Sequence, residues 1–186
     1  PGEWNTAILC PIFKKGDTLD PKNYRGISLL DTCYNILSTL LLERITPYAE
    51  GIIGRYQCGF IKGKSTIDHI FTLRQIMGKY YEFDMDLCMI FVDYKQAYDS
   101  VNRQELWKAM LHFGVPKKYV NLVKMCNDKT VLKVRFLQTL SPAFEVNSGL
   151  RQGDALSPTL FNLGLKKLLE KLMKTEEWKL LVKKLS

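Results

Sequence analysis

The sequence predicts an α+β chain in which strands are interrupted by pairs of helices, and three observations carry that expectation. Near the start, AILCPIF (7–13) and YRGISLL (24–30) are short apolar runs of strand character. From residue 32 onward, long stretches repeat their apolar residues at helical spacing, with helix-starting signals at Ser65 and Asn102. A further strand-like region, TVLKVRFLQ (130–138) with AFEV (143–146), precedes a return to amphipathic helix.

In order along the chain, the two opening strands read as one long-looped hairpin, with KKGD (14–17) as a turn signal after the first. A helix is expected from Thr32 to about Ile53, kinked or broken at Pro47. Ser65 opens the capping-box pattern STID, which should start a helix reaching about Tyr81. LCMIFVD (87–93) is a continuous apolar run ending in a carboxylate, the pattern of a strand buried on both faces. Asn102 with Glu105 caps a short helix that Gly114 and Pro116 terminate, and another helix follows over about 117–127. The 130–146 region reads as a hairpin around Ser141–Pro142. SGLRQGDALSP (148–158) is a glycine-bearing loop, and two amphipathic helices, about 158–174 and 176–185, finish the chain.

The 186 residues suffice for one sizeable core, and 46% apolar with 25% charged residues is ordinary for a globular chain. The net charge of +8 is less ordinary and suits a polyanionic partner, nucleic acid ahead of an anionic membrane, although charge alone leaves that reading level with a solvated basic face. Residues 166–186 hold seven Lys and three Glu, half of that excess. Five scattered cysteines without a CxxC pair argue against a disulfide framework or zinc site and for a reducing, intracellular compartment. No apolar run reaches membrane-spanning length, so no membrane partner is expected. The opening PGEW and closing KKLS read as cuts in a longer chain.

Three stretches carry candidate chemistry. CGFIKGKST (58–66) imitates a phosphate loop, but only three residues separate Gly59 from Gly63 where four are required, and a helix rather than a strand precedes it. It is set aside as a triphosphatase loop and kept as a nucleic-acid contact. Asp93 sits where a strand end can hold a metal ligand rigidly, the alternative being that it merely ends the strand. In SGLRQGDALSP, Gly149 and Gly153 permit close backbone approach, Arg151 offers a guanidinium to phosphate and Gln152 an amide to a base or sugar, unless the loop is an ordinary surface turn.

Taken in order, PIFKKGD…NYRGISLL, YQCGFIKGKSTID, FVDYKQAYDSVNR and SGLRQGDALSPTLFN closely resemble the reverse transcriptases of animal non-LTR (LINE-type) retrotransposons, over about residues 3–165. The resemblance implies a right-hand polymerase fold, with a fingers-like region over 1–86, a partial palm over 87–165 and a basic amphipathic segment over 166–186. It implies an RNA template, a DNA primer and deoxynucleoside triphosphates (dNTPs) as partners. Two Mg²⁺ ions, with Mn²⁺ as an alternative, would be the cofactors. Lys14 or Lys15 and Arg25 resemble residues that clasp the incoming triphosphate, whose charge must be neutralised. Asp93 resembles the first metal-binding catalytic aspartate, and the backbone carbonyl of Tyr94 a further metal ligand beside the nucleotide. Tyr98 resembles the steric gate that leaves no room for a 2′-OH. Arg151, Gln152 and Gly153 resemble the loop lining the nucleotide pocket. Gln57, Phe60, Lys64 and Ser65 fall in the template-contacting stretch, where Ile61 departs from the basic residue common in the family.

A larger departure concerns the adjacent aspartate pair that such enzymes carry on a later hairpin. No two aspartates are adjacent here, no Asp follows Asp154, and Glu170, Glu176 and Glu177 belong to helical patterns. The chain ends 28 residues after Pro158, about where that hairpin should begin, and the thumb and endonuclease of the parent polyprotein are not included. Two Mg²⁺ ions about 4 Å apart repel one another more than one carboxylate can offset. The expectation is therefore a polymerase fragment inactive by itself, with the Asp93 strand left exposed on an apolar face. The alternative is a non-catalytic module that binds RNA or RNA–DNA hybrid.

Overall fold

The structure is a computed structural model and describes residues 2–176. The second C-terminal helix expected over 176–185 lies outside the described residues except for Glu176, as does Glu177.

A 3-10 turn, Gly2–Asn5, leads into β1 (Thr6–Phe13), and a second, Pro21–Asn23, leads into β2 (Tyr24–Leu29). The two strands pair antiparallel from Ile8↔Leu29 to Phe13↔Tyr24, as the long-looped hairpin predicted. Their connection is tied by its own aspartates, a common use of short acidic side chains in turns. Asp17 accepts from the Leu19 amide and Asp20 from the Lys22 amide, both at 2.9 Å, and the Tyr24 hydroxyl donates to the Thr18 carbonyl at 2.8 Å.

Helix α1 (Thr32–Ile52) begins where the Asp31 carboxylate accepts from the Cys33 and Tyr34 amides. It is not broken at Pro47, one of the two outcomes expected there, and continues to Ile52. The proline removes one intrahelical hydrogen bond. Its neighbours are nevertheless fixed by a buried stripe, Tyr34, Ser38, Leu41, Ile45 and Ala49, that continues on both sides of it.

Helix α2 (Thr66–Glu82) starts at the capping box read from the sequence, with Ser65 accepting from the Ile67 amide and Asp68 reaching back to the Ser65 amide. None of its residues is buried. Ser65→Ala should therefore cost about 1 kcal/mol of local helix stability, undisguised by packing. It should appear as faster amide exchange in the first turn of α2, and unchanged exchange there would show the cap to be idle.

Helices α3 (Arg103–His112), capped by Asn102, and α4 (Lys117–Asn127) match their expected spans. β3 (Thr130–Phe136) then turns at Leu137–Gln138 into β4 (Thr139–Leu140), and β5 (Phe144–Val146) pairs with the earlier half of β3. The reversal is thus not at Ser141–Pro142. That dipeptide interrupts the returning strand, because proline has no N–H for the ladder. The Ser141 amide donates to the Val134 carbonyl and its hydroxyl accepts from the Val134 amide, each at 2.9 Å, so the break leaves β3 satisfied. The sheet order is β2-β1-β3-β4, with β1 and β3 parallel from Thr6↔Val131 to Leu9↔Val134. Helix α5 (Ser157–Leu172) closes the described chain.

One strand expectation fails. Residues 87–93 form no strand, and Phe91 is 77% and Val92 63% exposed. An apolar run becomes a buried strand only where neighbouring backbones complete its ladder and a layer covers each face. None of the described strands pairs with it. The apolar side chains of the segment, Ile90, Phe91 and Val92, are exposed, but not as the face of a strand.

The core joins one face of each of four helices: Tyr34, Leu41 and Ile45 of α1, Leu106 and Met110 of α3, Val120 and Val123 of α4, and Leu160 and Leu163 of α5. Leu150 and Leu156 enter it from both sides of the 148–156 loop and so anchor that loop to the helices.

Candidate functional site

A cleft of about 710 Å³ opens where four stretches far apart in sequence meet. Lys14 and Arg25 come from the β1–β2 hairpin, and Phe60 from the loop before α2. Asp93, Tyr94 and Tyr98 come from the segment after the apolar run, and Gln152 and Gly153 from the loop before α5.

Backbone pairing holds these walls in register. The Leu150 amide donates to the Tyr98 carbonyl and the Gly149 amide to the Val101 carbonyl, both at 2.9 Å. The Ser28 amide of β2 donates to the Gln152 carbonyl at 2.7 Å, so the strand carrying Arg25 is fastened to the loop carrying Gln152 and Gly153. Gly153 is required here. Its φ is +118°, and an added Cβ would stand 2.5 Å from the Ser28 carbonyl oxygen.

Tyr98 is half-buried and stacks on Phe161 of α5, with ring centroids 5.1 Å apart and planes 8° from parallel; Phe60 meets it edge-on at 6.2 Å. Burial raises the Tyr98 hydroxyl above the ordinary phenol value, so the ring stays neutral. The lining combines these rings with a basic set, Lys14, Lys22 and Arg25, and with Asp93, Asp99 and Asp154. An anionic group with a flat ring attached suits the rings and the basic set together.

The other expected site residues are placed differently. Lys15 is exposed and does not line the cleft. Arg151, expected to offer its guanidinium to phosphate, turns it into the core instead. There it donates to the Tyr34 hydroxyl and the Cys126 carbonyl and lies 3.7 Å from Asp154. In the 55–65 stretch, the Gln57 amide donates to Asn162 of α5, and Lys64 donates to the Arg55 and Gln57 carbonyls at 2.9 and 3.0 Å. Ser65 caps α2. These three shape the loop that presents Phe60, and they do not reach the cleft.

Asp93 is exposed at the cleft. Among the described residues, no three His, Cys, Asp or Glu side chains group closely enough to hold a metal ion. Asp99 and Asp154 line the same cleft, but both Asp154 oxygens are engaged by Tyr34, Ser38 and the Leu156 amide. The donor set does not fit a pair of Mg²⁺ ions.

Several residues of this neighbourhood escaped the sequence reading. Arg103 is buried and donates to the carbonyls of Gly149, Asn127 and Val146, tying the loop to α4 and β5. Desolvation, aided by nearby Arg151, lowers its pKa from the ordinary guanidinium value. Phe161 had a legible signal, one helical turn after Ser157 on the helix expected to follow the loop. Tyr34 and Ser38 had none, since their partner is more than a hundred positions away.

Burial, then the Asp154 charge, raise the Tyr34 phenol well above its usual range, and the same two causes push the Cys126 thiol up to about 11. Both groups hold their protons more tightly folded than unfolded. The Cys126 contribution to stability is therefore complete below about pH 9 and is lost as pH climbs through about 11, while the Tyr34 contribution starts to fall above the ordinary phenol value and is still falling beyond that window. Denaturant midpoints measured across that window should fall, and a constant midpoint would contradict the burial of both groups.

Residues 12–182 match the family described as reverse transcriptase (RNA-dependent DNA polymerase). Among curated proteins, the chain is 28% identical over 170 residues to a probable RNA-directed DNA polymerase from transposon X-element of Drosophila melanogaster, covering 88% of this chain and 18% of that protein. It is 26% identical over 159 residues to the transposon TX1 uncharacterized 149 kDa protein of Xenopus laevis, covering 86% and 12%. It is 24% identical over 182 residues to a retrovirus-related Pol polyprotein from a type-1 retrotransposable element R2 of Popillia japonica, covering 94% and 24%. The chain thus spans less than a quarter of the length of these relatives. The fold is similar to that of an apo telomerase from Candida tropicalis truncated from its C-terminal domain, with a TM-score of 0.61 at 13% identity over 92% of this chain and 40% of that one.

Proposed function

Since this chain belongs to the reverse transcriptase (RNA-dependent DNA polymerase) family and is of the non-LTR retrotransposon type, we propose that its cleft binds a dNTP and orients it against an RNA template and a DNA primer. The observation that carries this reading is the convergence of Lys14, Arg25, Tyr98, Gln152 and Gly153 on one cleft. Lys14 and Arg25 neutralise the triphosphate, the dominant charge of the ligand. The Tyr98 ring lies under the sugar and excludes a 2′-hydroxyl. Gln152 and Gly153 approach the sugar and base, and Phe60 borders the template side.

Catalysis by this chain alone is not part of the proposal. Asp93 with the Tyr94 carbonyl is the group we assign to Mg²⁺ or Mn²⁺ in the parent polyprotein. The chain's own share of the work is to bind, orient and discriminate. In the fingers-and-palm division, the β1–β2 hairpin and the loop before α2 act as fingers and the 87–165 region as palm.

Titration with a fluorescent dNTP, and with an RNA–DNA hybrid, tests the reading directly. Arg25→Ala should weaken nucleotide binding roughly tenfold, as expected for loss of a charge-assisted contact. Unaltered affinity would remove Arg25 from the triphosphate site. Primer extension on an RNA template should yield no product, and incorporation abolished by Asp93→Ala would overturn the restriction to binding. A second reading, a module that binds hybrid without nucleotide, is favoured by the ill-fitting metal site. It predicts salt-sensitive hybrid binding unchanged by Asp93→Asn, with no dNTP affinity.

A further inference from the structure

The loop before α5 alternates between residues held inward and residues presented outward. Arg151 and Asp154 are each 4% exposed, and the two between them, Gln152 and Gly153, line the cleft beside Asp154. Arg151 is held from α4 by the Cys126 carbonyl at 2.6 Å, and what joins Arg151 to Asp154 comes from α1. The Tyr34 hydroxyl donates to Asp154 Oδ2 at 2.5 Å and accepts from Arg151 Nη2 at 2.5 Å. The Ser38 hydroxyl donates to Asp154 Oδ1, which also accepts from the Leu156 amide at 3.0 Å.

Arg151 and Asp154 are 3.7 Å apart at their nearest, too far for a direct hydrogen bond, so the phenol bridges them. The guanidinium lies over the Tyr34 ring, 4.3 Å from its centroid, and Nε and Nη1 find no acceptor. A buried ion pair with unmatched donors is a weak device for stability, and an apolar set of similar volume would serve the core as well. Its geometric effect is specific: both ends of a two-residue tip are fixed to one helix. The Ser28 amide then fastens the tip itself at the Gln152 carbonyl.

We propose that Tyr34 is a positioning residue for the nucleotide, its hydroxyl holding Gln152 and Gly153 at the cleft by bridging Arg151 and Asp154. The inference rests on the reading of the cleft as a dNTP site. Tyr34 lies at the start of α1 and does not line the cleft, so it acts through the loop rather than on the ligand.

The test compares Tyr34→Phe, which removes the hydroxyl and keeps the ring, with Ile45→Val, a methyl deletion in the same helix at a fully buried position. Both are titrated with a fluorescent dNTP at a temperature where each is fully folded, and amide exchange is followed at Ser28 and Leu156. Tyr34→Phe should weaken nucleotide binding roughly tenfold and speed exchange at both amides. Ile45→Val should change neither. A Tyr34→Phe chain that binds as the parent does, or that loses no more than Ile45→Val with both amides still protected, overturns the proposal. A parent chain without dNTP affinity removes the cleft reading and the positioning role with it. In that case faster exchange confined to Tyr34→Phe would still establish the anchoring of the loop, which separates the two failures.

Discussion

Asp154→Ala is expected to lower folding stability by about 3–5 kcal/mol, the usual range for removing one partner of a buried ion pair. The carboxylate is the acceptor for the Tyr34 and Ser38 hydroxyls and the Leu156 amide, and the counter-charge of Arg151. Without it, three donors lose their acceptor, and a guanidinium that already has two unmatched nitrogens stays buried without its counter-charge. Denaturant unfolding followed by circular dichroism measures the loss. A double substitution, Arg151→Met with Asp154→Leu, should recover much of it, because the desolvated charges leave together. If Asp154→Ala costs less than about 1 kcal/mol, the network is solvated and the account of the loop is wrong.

Gly153→Ala should have the next largest effect. The added methyl would stand 2.5 Å from the Ser28 carbonyl oxygen, and the backbone there has a φ of +118°. Strain of this kind costs on the order of 1–3 kcal/mol. The obstacle is backbone, so no side-chain rotation relieves it. Relief requires the loop to move away from β2, which breaks the Ser28–Gln152 hydrogen bond and withdraws Gln152 from the cleft. The variant should therefore melt at a lower temperature and also lose dNTP affinity. Gly63→Ala is the informative comparison: its φ is +76°, but no atom stands within 4 Å of the added methyl. Equal behaviour of the two variants would mean that the contact with Ser28 does not constrain the cleft.

What the sequence made legible was local. Ser65 and Asn102 announced their helices because a cap is decided within one turn. The β1–β2 hairpin was legible from two apolar runs and the turn residues between them. The stretches that line the cleft were visible as motifs, and the structure brings Lys14, Arg25, Phe60, Asp93, Tyr94, Tyr98, Gln152 and Gly153 to it. What stayed hidden depends on distant partners. Arg151 looked available to a phosphate until Tyr34 and Cys126, from α1 and α4, were placed around it. A break at Pro47 could be discounted only once the stripe that carries α1 past it was seen to be held by other helices. The 87–93 run looked like a buried strand because pattern reports apolarity but not whether a neighbouring strand exists to pair with it.

The parallel pairing of β1 with β3 joins residues about 125 positions apart, from Thr6↔Val131 to Leu9↔Val134, and the Tyr34–Asp154 bond spans 120. Such separations raise the contact order, and chains dominated by them fold slowly because loop closure precedes any gain from the contact. Helices α1 to α4 can begin to form from local signals while β1 still waits for β3. The cleft draws one wall from each end of the chain, so it should be assembled late and contribute little to the folding transition state. Substitutions at Gly153 or Tyr34 should then mainly accelerate unfolding and leave the folding rate almost unchanged.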